Sequence, residues 1–117
     1  MNEYSPRNSP VQRERLTFDE LFDVLSNSSR RRILTALVDA DPRAEPEFGI
    51  AEFARDDRRD DDLARLHHTH LPKLDDAGVI EWNRHSQTIE RGPRFDDIAP
   101  LVELLLDRQE ELPANWP

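Results

Sequence analysis

Residues 63 to 80 read LARLHHTHLPKLDDAGVI, and this stretch decides the fold. Leu63, Leu66, His70, Leu74 and Ala77 recur at steps of three or four, so they share one face of a helix. Leu71 widens that stripe. The opposite face carries Arg65, His67, His68, Thr69 and Lys73, and no carboxylate falls between Leu63 and Leu74. Gly78 supplies a stop, and Val79-Ile80 begins an extended apolar run. Pro72 is the irregularity. Its ring meets the carbonyl of His68 and removes one hydrogen bond, at a cost of roughly 3 kcal/mol in a regular helix. The helix either kinks there, freeing the His68 carbonyl, or ends and restarts. The unbroken stripe favours the kink.

Toward the C-terminus, Val79–Asn83 and Thr88–Arg91 form an antiparallel hairpin, with Arg84, His85, Ser86 and Gln87 as the connection. Trp82 lies on the same side as Ile80 and reads as core or interface. Gly92-Pro93 ends the hairpin. Phe95 to Arg108 is a last helix, with Ile98, Leu101, Val102, Leu105 and Leu106 in line and Pro100 tolerated if it falls in the first turn. This is more apolar surface than one small domain needs on a single helix. A second copy of the chain is the expected partner, meeting it through Phe18, Phe22, Ile98, Leu101, Val102 and Leu105. The alternative is a monomer in which the last helix packs back over the first. Residues 110–117 are expected to form a flexible tail.

Toward the N-terminus, Asp60, Asp61 and Asp62 suit the start of the long helix as cap and dipole partners. The run 55–62, RDDRRDDD, reads as a salt-laced turn rather than a metal loop. Ile50, Phe53 and Ala54 fit a short helix, and Glu47-Phe48-Gly49 a short strand. Asp41 to Glu47, with Pro42 and Pro46, is a loop. Thr17-Phe18-Asp19-Glu20 is a capping box that opens a first helix with Phe18, Leu21, Phe22 and Leu25 on one side. Ser28-Ser29 caps a second, lined by Ile33, Leu34, Leu37 and Val38. Arg30, Arg31 and Arg32 occupy its first turn, against the helix dipole. They either meet phosphate or pair with surface carboxylates. Residues 1–15 contain little that is apolar and read as a disordered arm, with Arg7, Arg13 and Arg15 either touching phosphate or simply solvated.

The 117 residues suffice for one domain, placed at 16–109, and too few for two. Cysteine is absent, which excludes disulfides, thiol nucleophiles and Cys-built zinc sites. No apolar run approaches the roughly 20 residues of a membrane span, and the first residues lack the apolar core of a signal peptide. A cytoplasmic protein is expected. The formal charge is -9, and of 16 basic residues only Lys73 is lysine. Acid-rich, lysine-poor composition resembles that of proteins working in molar salt, where a Debye length of roughly 3 Å screens self-repulsion.

The fold class expected is mainly α with a small antiparallel hairpin (α+β). A donor-faced helix followed directly by a hairpin is the winged helix-turn-helix plan, with residues 61–77 as reading helix and 79–91 as wing. Such a helix fits the roughly 12 Å major groove of DNA, and a hairpin reaches adjacent phosphates. Ser28-Ser29-Arg30-Arg31-Arg32-Ile33-Leu34 resembles the second-helix signature of arsenic-repressor-like winged-helix regulators. His70-Leu71-Pro72-Lys73-Leu74 with Ala77-Gly78-Val79-Ile80 is similar to their junction between reading helix and wing. The wording HHTHLPKL resembles, more narrowly, an uncharacterised winged-helix domain family of halophilic archaea. The resemblance spans roughly residues 16 to 107. It implies DNA contacts at Arg65, His68, Thr69 and Lys73, and at Arg84 and His85 on the wing tip. The family's sensor sites are partly built from cysteines, so cysteine-based metal sensing is excluded.

The function expected is a dimeric DNA-binding transcriptional regulator, with Arg30 and Arg31 as further phosphate contacts. The alternative is a protein-interaction module that does not bind DNA, favoured by the acids at 56–62, Asp75 and Asp76. His67 and His70 are spaced to offer a zinc pair but lack further ligands on that helix, so no metal or cofactor is expected. No nucleophile–base spacing or phosphate loop points to an enzyme.

Overall fold

The computed structural model describes residues 15–41, 43, 47–54 and 58–117. The expected arm to residue 14, Pro42, Pro46 and the acidic turn at 55–57 lie outside the described residues. The chain is mainly helical with a small antiparallel sheet, an α+β fold. In order it forms α1 (Phe18–Val24), α2 (Ser28–Asp39), β1 (Glu47–Gly49), a 3₁₀ turn (Ile50–Phe53) and α3 (Arg59–Arg65). A π-helical turn (Leu66–His70) then leads into α4 (Leu71–Ala77), followed by β2 (Ile80–Asn83), β3 (Thr88–Arg91) and α5 (Phe95–Asp107).

Local chemistry explains the boundaries. The capping box forms: Glu20 N–H donates to Thr17 Oγ1 at 3.1 Å, and Thr17 N–H to Glu20 Oε1 at 2.8 Å. Ser28 and Ser29 do not cap α2. Asn27 does, its Oδ1 accepting from Ser29 N–H at 2.8 Å, because Asn27 is the last extended residue before the turn. Arg58 precedes α3 without a side-chain cap, and Asp60, Asp61 and Asp62 occupy its first turn, where the dipole favours them.

Pro72 neither ends the helix nor simply bends it. Leu71 N–H reaches back five residues to Leu66 O, opening a wide turn just ahead of the proline ring. Pro72 thus falls in the first turn of α4, where its missing N–H costs little. The buried stripe persists across the wide turn: Leu66, His70, Leu71 and Leu74 are all buried. Pro100, by contrast, sits in the second turn of α5 rather than the first.

Gly78 takes φ +82° and closes α4, with Val79 N–H donating to Leu74 O at 3.2 Å. The β2–β3 hairpin pairs Ile80 with Arg91 and Asn83 with Thr88, and β1 adds to the outer edge of β3, giving the order β1-β3-β2. Gly92 lies against the start of this hairpin. A Cβ there would overlap the Gly78 carbonyl and approach Ile80 backbone nitrogen to 2.7 Å. Ile80 and Ile89 turn inward onto Leu34, Leu37, Leu74, Phe95 and Ile98 to form one core.

The last helix corrects the expected interface. Ile98 and Val102 are fully buried within a single chain, so they belong to its core and are closed to a second copy. The stripe is real, and α2 packs against it. Phe18 and Phe22 remain exposed and stack on each other at 6.0 Å, while Leu101 and Leu105 are half-buried. Of the residues beyond α5, Leu112, Trp116 and Pro117 are half-buried, and Ser28 Oγ–H donates to Pro117 O at 2.8 Å.

Candidate nucleic-acid interface

Three of the donors expected on the long helix, Arg65, His68 and Thr69, are exposed. Lys73 is only half available, because its Nζ forms an ion pair with Asp23 Oδ2 on α1 at 2.5 Å. That contact holds the Asp23 carboxyl below its usual range, first through the hydrogen bond from Lys73. Arg84 and His85 are exposed at the hairpin tip.

The tip is built, not loose. Asn83 Oδ1 accepts from the N–H of His85 at 3.0 Å and of Ser86 at 3.1 Å, closing the turn. Gln87 takes φ +58°, a left-handed conformation held by its own contacts. Its Nε2–H donates to Arg84 O at 2.6 Å, and its carbonyl accepts from Ile50 N–H at 3.0 Å. Since its amide nitrogen is taken, Oε1 faces His67 Nε2 at 2.6 Å. His67 Nδ1 in turn lies 2.8 Å from Leu63 O. The His67 ring also meets Trp82 edge-on at 5.8 Å, and the Arg84 guanidinium lies over the Trp82 ring at 4.3 Å. Helix and hairpin are therefore clasped through His67, Gln87 and Trp82. Composition and periodicity single out neither His67 nor Gln87 for this task. The one available signal is that His67 falls beside the apolar stripe, facing the strand that follows.

The arginines of α2 are placed otherwise than expected. Arg30 is buried, and its donors are spent on backbone and side chains within the fold. Nε–H donates to Val24 O at 2.8 Å, Nη2–H to Asp23 O and Ser26 Oγ at 3.0 Å each, and Nη1–H to His70 Nδ1 at 3.1 Å. Arg31 Nη1–H donates to Leu25 O at 2.7 Å, and Arg32 Nη2–H to Phe53 O at 3.0 Å. In these hydrogen bonds the acceptors are carbonyls, the Ser26 hydroxyl and the His70 ring rather than carboxylates. The arginines satisfy carbonyls at the end of α1 and of the 3₁₀ turn. Arg30 is thus removed from the candidate contact surface, and Arg31 is turned to the fold as well.

His70 is the neutral acceptor of this arrangement. Burial holds its pKa below the usual histidine value, helped by the positive Arg30, Arg65 and Arg32 and opposed by Asp62. His67 thus faces Leu63 O and Gln87 Oε1, and His70 faces Arg30. Among the described residues there is no group of three or more His, Asp or Glu side chains placed to hold a metal ion. No helix among them is long and apolar enough to cross a membrane.

Asp60, Asp61, Asp75 and Asp76 are exposed at the two ends of the helical rod, so acids bracket the donor band rather than interrupt it.

The chain belongs to the family described as a domain of unknown function (DUF7344), whose model matches residues 22–90, more than half of its length. The match includes the whole of α3 and α4 and the hairpin as far as Glu90, and stops before α5. No curated protein and no solved structure matches the chain.

Proposed function

We propose that this is a winged helix-turn-helix domain that binds double-stranded DNA and regulates transcription, with α3–α4 as reading helix and β2–β3 as wing. The observation that carries the reading is the His67–Gln87 clasp. It fixes a hairpin tip bearing Arg84 and His85 to the helix that exposes Arg65, His68 and Thr69. A helix of this diameter enters the major groove, where Arg65 reads guanine and His68 and Thr69 reach base edges. Arg84 and His85 hold the neighbouring backbone. Lys73 serves as a phosphate contact only when it leaves Asp23.

The domain acts as a two-fold dimer in the cytoplasm, meeting its copy through Phe18, Phe22, Leu101 and Leu105. A pseudo-palindromic operator follows from that symmetry. The reading assigns no catalytic role and no cofactor.

The test is electrophoretic retardation of genomic fragments across a salt titration, comparing the native chain with the Arg65→Ala/Arg84→Ala double variant. Loss of retarded bands with an unchanged circular dichroism spectrum supports the assigned face, and retention rejects it. The salt slope is part of the readout, because counterion release contributes little in molar salt and affinity there leans on base contacts and shape.

A second reading, a protein-docking module, is favoured by the acids bracketing the helix and by the exposed Phe18 and Phe22. A chain that ignores DNA at every salt concentration while capturing a defined protein partner selects it.

A further inference from the structure

His67 has an acceptor on each side of its ring. Nδ1 lies 2.8 Å from Leu63 O, and Nε2 lies 2.6 Å from Gln87 Oε1. A backbone carbonyl only accepts. The Gln87 oxygen is assigned by the other end of its amide. There Nε2–H donates to Arg84 O at 2.6 Å, and a reversed amide would set two oxygens against each other. Both ring nitrogens of His67 must therefore donate, which only the imidazolium does.

A neutral ring does not serve this chain of contacts. With its proton on Nδ1, the Nε2 lone pair meets the Gln87 oxygen. With its proton on Nε2, the Nδ1 lone pair meets Leu63 O. An amide that turns over to donate into Nε2 gives up Arg84 O. In each arrangement one link between rod and hairpin tip is lost.

Both ring partners are uncharged oxygens, and the described carboxylates of the surrounding elements stand elsewhere. Glu81 and Glu90 are register partners in the hairpin, and strand alternation puts them on the face away from Trp82. Glu52, on the 3₁₀ turn, accepts from Gly49 N–H at 3.0 Å. On the rod, Asp60, Asp61 and Asp62 precede His67 by more than one turn, and Asp75 and Asp76 follow it by more than two. Of the cations, Arg84 lies over Trp82, the ring that His67 meets edge-on. From α2, Arg30 is directed to His70 and Arg32 to Phe53 O. Hydrogen bonds to neutral oxygens, rather than an ion pair, hold the second proton of His67. Histidine changes its charge between about pH 5 and 8.

We propose that the clasp is a proton-operated latch, closed while His67 carries both ring protons and opened when one leaves. Acidification fixes the hairpin tip to the rod, and alkalinity frees it. Its consequence for DNA rests on the reading above: a latched tip keeps Arg84 and His85 in register with Arg65, His68 and Thr69. The latch itself needs no DNA. His70 does not produce the same signature, because the fold uses its neutral form and its effect has the opposite sign.

The experiment follows the native chain and His67→Gln from about pH 5.5 to 8 at constant salt. Nitrogen-15 spectra of the His67 ring report its protons. Amide exchange at 84–87, divided by the rate of an unfolded peptide, reports the tip. At the acid end both ring nitrogens are expected to be protonated. As pH rises, one proton leaves and protection at 84–87 falls about tenfold with the same midpoint, while protection of the core amides of Leu34 and Leu74 does not fall. In His67→Gln, protection at the tip is expected to be low and flat, and the native series stands alone if that variant fails to fold. Tip protection that stays constant while the ring titrates overturns the proposal, as does a singly protonated ring on a protected tip at the acid end. Retardation of DNA is run at the same pH values and read as the difference between the two chains, because His68 and His85 gain charge over the same range. A difference that grows as pH falls ties the latch to DNA, and one that does not change overturns that tie. A chain that retards no DNA at any pH rejects the DNA reading, and the exchange result alone then decides the latch.

Discussion

Replacing Arg30 with methionine removes four donor contacts while keeping most of the aliphatic stem. Val24 O and His70 Nδ1 are buried partners of Arg30 and lose their donor outright. Asp23 O and Ser26 Oγ are only partly buried, so water replaces the guanidinium there. Each buried acceptor left unpaired costs about 1–3 kcal/mol. Removing a desolvated cation returns part of that. The net loss worked from these contacts is about 3 kcal/mol. At roughly 4 °C per kcal/mol for a domain of this size, the midpoint of thermal unfolding falls by about 12 °C. The assay is far-UV circular dichroism during heating at pH 7.5 and constant salt, for the native chain, Arg30→Met, and Arg30→Met combined with His70→Leu. The double variant is expected to recover part of the loss, because His70 Nδ1 is no longer stranded. A shift below about 3 °C for Arg30→Met, accompanied by weakened DNA retardation, refutes the reasoning: Arg30 would then be a phosphate contact facing solvent.

Three further outcomes follow from contacts already described. His70 takes a proton less readily in the native chain than when unfolded, so its contribution to stability is fully present above its ordinary value of about 6.5 and drains away as pH falls below it. Chemical denaturation between pH 7.5 and 5 is expected to show this loss in the native chain and a flatter profile in His70→Leu; equal slopes contradict it. Gln87→Met breaks the side-chain contacts to His67 and Arg84, worth about 1 kcal/mol each, so amide exchange at 84–87 is expected to quicken by tenfold or more without loss of the core. Unchanged exchange there removes the clasp from the argument. Gly92→Ala drives a methyl into the Gly78 carbonyl and the Ile80 backbone and is expected to prevent stable folding, whereas Gly78→Ala costs about 1–2 kcal/mol for its left-handed φ. Similar melting curves for the two variants would show that the hairpin base has room to move.

Much of the architecture was legible because it rests on periodicity and local caps. Leu66, His70, Leu71 and Leu74 are buried as their spacing demands, Thr17 and Glu20 close their box, and the strand pair falls at 80–83 and 88–91. What escaped is what periodicity does not encode. An apolar stripe says that a face is covered, not by what: Ile98 and Val102 read as interface and are core, because α2 claims them first. A guanidinium satisfies a helix-end carbonyl as readily as a phosphate, so Arg30 and Arg31 were indistinguishable from contact residues until the end of α1 was placed beside them. Asn27 took the cap from Ser28 because the helix begins one residue earlier than the serine pair suggests. The candidate surface divides on the same line. Arg65, His68, Thr69, Arg84 and His85 were legible as outward donors, while Lys73 was partly claimed by Asp23 and the His67–Gln87 contact depended on a turn conformation that no spacing rule specifies.

The wide turn at Leu66–His70 houses one residue more than a regular helix needs for the same rise. That surplus is absorbed without moving Leu71 or Leu74 off the core. The rod therefore tolerates a change in length at this place as few helices do. Homologues in which the surplus residue is deleted and the proline replaced would show a one-position gap between two leucine blocks still in register, and their outward side chains there would be redealt. Divergence of the outward face would then arise from a single codon deletion rather than from repeated substitution.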